Sequence, residues 1–152
     1  MATQLSISVS ARSRAPRSTV FALLTDATTW STWTPFSEVS VEEPGGPSGV
    51  GAVKRTRYRG APGRERVLSL TPGSQLSYAY VSGVLSPYIR DYVAVVDLEE
   101  SGSGTVIHWH SAFRPRFPGS GWLPRRIIQR FLQRCADGLA AHAEEPAGVR
   151  GT

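Results

Sequence analysis

The chain holds a single cysteine, Cys135, among 152 residues, which excludes a disulfide framework and any cysteine-based zinc site. No stretch approaches the roughly 18 uninterrupted apolar residues that a membrane span requires. The opening residues, Met1 to Val9, lack the charged and apolar regions of a signal peptide. These absences predict a cytoplasmic protein. Lysine is nearly missing as well: Lys54 is the one lysine among 17 basic residues, so the net charge of +5 is an arginine charge. There is no Gly-x-Ser-x-Gly elbow, no phosphate loop and no dinucleotide fingerprint, so nucleophilic and nucleotide chemistry are not expected and no cofactor is implied.

What is present suits one ordinary domain. A chain of 152 residues can bury roughly 68–70% of its unfolded surface and needs no metal to hold it together. Leu5, Ile7 and Val9 alternate with serines, the period of a strand with one buried face. Pro16 then opens a helix carrying Val20, Phe21 and Leu24 as far as Asp26. Thr28 or Thr29 is positioned to cap a second short helix through Trp30 and Trp33, closed by Pro35.

From Phe36 to Phe113 the pattern is β-rich, and six strands are expected. They lie around Val39 and Val41, over Val53–Arg59, Arg64–Leu70 and Leu76–Tyr80, from Tyr88 to Leu98, and over Thr105–Trp109, with a turn at Gly60, Pro62 and Gly63. Pro124 opens the one long helix, to His142, with Ile127, Ile128, Phe131, Leu132, Cys135 and Leu139 on its apolar side. The predicted domain covers residues 1–145, and 146–152 reads as a frayed tail. The order of elements implies a curved antiparallel sheet of seven strands wrapped around a long C-terminal helix, an α+β fold.

Period two sends Tyr58, Tyr78, Tyr80, Tyr92, Trp109 and Phe113 inward. Such a wall either lines a small-molecule pocket or fills a core. Asp26, Trp30, Trp33 and Pro35, then Gly51, Leu76 with Tyr78, Gly104, Thr105 and Trp109, and finally Gly138 and Leu139, form an ordered set that resembles the polyketide cyclase and dehydrase-like branch of the START-like superfamily, also called SRPBCC. The resemblance runs from about Leu5 to Ala143. It implies a helix-grip fold, shared with the birch-pollen allergen family, and a deep hydrophobic cavity between the sheet and the terminal helix.

The expected function is therefore binding of a small hydrophobic or aromatic ligand, lipid or polyketide-like. Tyr58, Tyr78, Tyr80, Tyr92, Trp109, Phe113 and Phe131 would line the cavity. Trp30 and Trp33 either guard its mouth or plug a gap between helices. Arg90, in phase with Tyr92, either orients a polar ligand group or snorkels to water at the rim. One alternative is a polyketide aromatase/cyclase or dehydratase using Arg90, Tyr92 and His108, and the other is a co-chaperone-like protein-interaction module.

Arg55, Arg57 and Arg59 read as a solvated face, or as a cavity face if the register is reversed. The facing of Arg66 is open, since Val67, Leu68 and Leu70 do not agree on one register. His108 and His110 read as exposed, and no metal site is expected because no third ligand lies nearby in sequence. Nucleic acid is disfavoured as a partner. The arginines of the last helix suit at most transient membrane contact or an acidic protein partner.

Overall fold

The computed structural model describes residues 4–145, so the tail expected at 146–152 lies outside the described residues. Strand β1, Leu5–Ser13, is followed by helix α1, Arg17–Thr25, which buries Val20, Leu23 and Leu24. A single 3₁₀ turn, Ala27–Thr29, leads into helix α2, Trp30–Trp33. Asp26 caps the 3₁₀ turn, its Oδ1 accepting from the Thr28 backbone N–H at 3.0 Å, and Thr29 stands at the N-cap position of α2 without a side-chain capping bond. Thr29 is occupied otherwise, donating to the Leu23 carbonyl at 2.9 Å and receiving the Trp33 indole N–H at 3.0 Å.

Six strands follow: β2 Glu38–Glu43, β3 Val53–Tyr58, β4 Ala61–Thr71, β5 Gln75–Ser82, β6 Ile89–Ser101 and β7 Gly104–Pro115. With β1 they form one seven-stranded sheet in the order β1-β7-β6-β5-β4-β3-β2, every neighbouring pair antiparallel. The last helix, α3, runs from Trp122 to Ala143. This is the helix-grip arrangement that the resemblance implies.

Two local details move residues from where alternation alone would put them. Strand β4 begins three residues earlier than expected, because Arg59 and Gly60 form a tight two-residue hairpin turn with φ of 50° and 83°, and Tyr58 pairs directly with Ala61. Pro62 is tolerated there because β4 meets β5 only from Arg64 onward, leaving Pro62 paired on one side. In β6 the register slips between Arg90 and Val93, with Asp91 at φ 56°, so the face on which residues point changes across this bulge.

Helix α3, about 33 Å long at 1.5 Å per residue, lays Ile128, Leu132, Cys135, Ala136 and Leu139 onto the concave face. It is tied along β1 at three levels. Arg125 Nε donates to the Ser6 carbonyl at 3.1 Å, Gln133 Nε2 to the Ser10 carbonyl at 3.0 Å, and Ser13 Oγ to the Ala140 carbonyl at 2.9 Å. Gly138 faces the carbonyl of Trp33 so closely that no Cβ fits between them, which fixes α2 against α3. No helix among the described residues is long and apolar enough to cross a membrane.

Candidate functional site

Between α3 and the concave face of β3 to β6 lies a cavity of about 520 Å³, within the size range of small-molecule sites. Strands β3, β5 and β6 supply Tyr58, Tyr78, Tyr80 and Tyr92 to its wall, and α3 supplies Ile128, Phe131 and Leu132. Phe36 completes it from the segment after α2. Edge-to-face contacts hold these rings: Phe131 sits 5.1 Å from Phe36 and 5.5 Å from Tyr58 between centroids, and Tyr80 lies 5.9 Å from Tyr92. Arg59, Arg130 and Arg134 stand exposed at the rim.

Trp30, Trp33, Trp109 and Phe113 are fully or almost fully buried and do not line this cavity. The Trp30 ring packs 5.0 Å from Trp33, 6.1 Å from Trp109 and 6.2 Å from Tyr78, so the α2 indoles close the space over β7. Tyr78 belongs to both regions, receiving the Trp109 indole N–H at 3.1 Å while lining the cavity. The structure thus brings Tyr58, Tyr78, Tyr80, Tyr92 and Phe131 together around open space and places the other four aromatics in the packed core behind it.

Arg90 is exposed and outside the cavity lining. The β6 bulge is the reason: Ile89 and Tyr92 both face the cavity, and the residue expected to share the phase of Tyr92 points away. His108 is likewise no partner for Tyr92. It lies on the convex face with its Nε2 2.9 Å from a Glu99 carboxylate oxygen, and His110 is paired there with Asp97 at 3.0 Å. Arg55, Arg57 and Arg66 are exposed, as β3 and β4 present them to solvent. Of the acid–base groups named for a cyclase, only Tyr92 reaches the cavity, and burial pushes its phenol well above the ordinary range.

A buried ion pair on the inner face is absent from the sequence reading. Lys54 and Glu65 are cross-strand partners in β3 and β4, 5% and 7% exposed, with Nζ 3.5 Å from Oε1. Lys54 Nζ also lies 3.2 Å from the Trp30 ring centroid, a cation–π contact. Burial lowers the lysine pKa and raises the glutamate pKa, and in each case the partner's charge opposes the shift. Two signals in the sequence point to the pair: Lys54 shares the parity of Tyr58, and Glu65 shares that of Val67. Their juxtaposition depends on the β3–β4 register, which the early start of β4 sets.

The family model described as polyketide cyclase / dehydrase and lipid transport matches residues 4–144. No curated protein matches the sequence. Among solved structures, a protein from Nitrosospira multiformis is similar with a TM-score of 0.77 at 17% identity, over 96% of this chain and 99% of that one. A START superfamily protein from Mycobacterium smegmatis gives 0.76 at 14% identity, over 91% of this chain and 97% of that one. A norcoclaurine synthase point mutant from Thalictrum flavum, in complex with a transition state analogue, gives 0.76 at 13% identity, over 94% and 96%. At these identities the likeness is one of fold.

Proposed function

The chain belongs to the polyketide cyclase / dehydrase and lipid transport family, and from that premise we propose that it binds a small hydrophobic or aromatic molecule in the cavity between the sheet and α3. The observation that carries the reading is the unfilled volume of about 520 Å³ walled by Tyr58, Tyr80, Tyr92, Phe36 and Phe131. In a sheet that has already packed three tryptophans into its core, this space is a second, separate use of aromatic surface. Aromatic walls with a few polar tips bind rings and chains chiefly by removing them from water, at roughly 25 cal/mol per Å² of apolar area. The proposed ligand-binding unit is residues 1–145, acting in the cytoplasm, where a lone buried thiol such as Cys135 stays reduced.

Carriage or sensing of the ligand is favoured over aromatase/cyclase chemistry because Arg90 and His108 lie away from the cavity. Native mass spectrometry of freshly purified protein, followed by denaturing extraction, tests the reading. A defined hydrophobic adduct is expected, and Ala61→Trp, which adds an indole at the cavity wall, should abolish the adduct while leaving the melting temperature within a few degrees. A wild-type chain that stays at its apo mass when challenged with a panel of aromatic and acyl compounds would count decisively against it.

A further inference from the structure

We propose that the cavity takes an amphiphile whose apolar body lies among the aromatic walls and whose anionic head, a carboxylate or a phosphate, is held at the rim by Arg59, Arg130 and Arg134. This rests on the cavity reading above and specifies its chemistry. With Glu65, these three are the charged side chains that line the cavity. Glu65 is 7% exposed and lies against Lys54, whose Nζ is 3.5 Å from its Oε1, so the interior presents a pair with no excess charge of either sign. The rim presents three positive charges. Contact between the rings of Tyr58 and Phe131, 5.5 Å between centroids, brings the end of β3 against α3, so Arg59 follows one of these rings in sequence while Arg130 and Arg134 flank the other.

The protein's own acids do not neutralise this rim. Elsewhere on β3 and β4, Arg57 pairs with Glu38 at 3.5 Å and Arg64 with Glu42 at 2.7 Å. Among the described residues no carboxylate lies within ion-pair distance of Arg59, Arg130 or Arg134, and the sequence carries no acid between Glu100 and Asp137. Asp137 itself accepts from Gln133 Nε2 at 3.0 Å. Arg130 and Arg134 stand one helical turn apart, a spacing at which like charges repel unless an anion joins them. The Arg59 guanidinium lies over the Tyr58 ring, 5.4 Å from its centroid, a cation–π contact that anchors it at the cavity wall. A guanidinium fork held there can take two oxygens of a carboxylate or phosphate at once.

Calorimetric titration with probes that share one chain and differ in the head, decanoate, decyl phosphate, decan-1-ol and decylamine, decides the matter. The wild-type protein should bind the better of the two anions about tenfold more tightly than the alcohol, the scale of two or three exposed ion pairs acting together, and whichever anion gains more identifies the head. Raising the salt from about 0.01 M to about 1 M, which shortens the screening length from about 30 Å to about 3 Å, should remove most of that gain. In the Arg59→Asn/Arg130→Gln/Arg134→Gln variant the anion-to-alcohol ratio should fall to about one. Asparagine suits the φ of 50° at position 59, and the fold is checked by circular dichroism. Equal wild-type affinities for anions and alcohol, or an anion preference that survives in the variant, would overturn the rim site and leave the cavity reading standing. Tightest binding of decylamine would overturn it in favour of a cationic head near Glu65. Failure of all four probes to bind would overturn both readings.

Discussion

On the concave face toward β7, Trp30, Trp33, Trp109 and Phe113 press on one another until none is more than 5% exposed, whereas toward β3 and β4, Tyr58, Tyr80 and Phe131 keep partial exposure around open volume. Both regions are aromatic and both lie beneath α3. The difference is what the short helix α2 inserts. Its two indoles fill the β7 half, while over β3 and β4 Phe36 and the α3 side chains Ile128, Phe131 and Leu132 wall the open volume without filling it. Inward-pointing rings therefore become core or binding wall according to whether a second element supplies matching volume.

The largest effect that tests this division is Trp109→Ala, which should cost about 3–5 kcal/mol of stability, because the deleted ring leaves a cavity among three aromatic neighbours. Tyr80→Ala, on the open side, should cost less than about 2 kcal/mol and act mainly on ligand affinity. Urea unfolding measures both. Equal losses at the two positions would erase the distinction.

The buried pair sits where the two regions meet, and it sharpens the comparison. Glu65→Leu alone leaves Lys54 buried with no counter-charge and should cost about 3 kcal/mol or more, while adding Lys54→Met should restore or exceed wild-type stability. The pH dependence follows from the directions of the shifts. The carboxyl is raised from 4.5, so the folded chain holds a proton that the unfolded chain releases, and its contribution to stability falls as pH rises above about 4.5. The lysine is lowered from 10.5, so its cost appears as pH falls below about 10.5 and disappears above it. Tyr78, Tyr80, Tyr92 and Cys135, further titratable groups of this environment, are shifted upward by burial and stay neutral across most of that window. The double variant should therefore gain most on the wild type between these limits in a series of melts, and a constant difference across pH would contradict the pair's burial cost.

The smallest effect is expected on the convex face. His108→Gln removes an exposed pair with Glu99 and should change stability by no more than about 0.5 kcal/mol, and ligand affinity not at all. A measurable loss of binding in that variant would reconnect His108 to the cavity.

Much of the fold is legible in the sequence because strand alternation, the Pro16 and Pro124 helix starts and the amphipathic stripe of α3 are local signals. The six strands after the short helices, and the side of the sheet on which Tyr58, Tyr78 and Trp109 lie, follow from period two. Depth does not follow from it. Nothing local to Trp109 or Tyr80 says that one is covered by α2 and the other faces open space. Arg90 escapes the same logic because a single residue at φ 56° shifts the phase, and Asp91 carries no glycine-like warning. Glu65 escapes because the turn signal at Pro62 and Gly63 hides the true start of β4, without which its cross-strand partner is unknown.

The sheet order has a kinetic consequence. Strand β1 pairs with β7, from Leu5 opposite Phe113 to Ser13 opposite Thr105, and α3 is stitched to the same β1 edge. The first strand made thus waits for almost the last, and the ladder at the β1 edge closes only after all the intervening strands have been gathered in. The hairpins β3–β4, β4–β5, β5–β6 and β6–β7 are available earlier because each joins strands adjacent in sequence. Such non-local closure is paid for in entropy before it is rewarded by contacts, which places this chain among the slower folders, in the millisecond-to-second class. During that delay the apolar faces of β7 and α3 have no cover from β1, and a nascent chain stalled there is the species most exposed to aggregation.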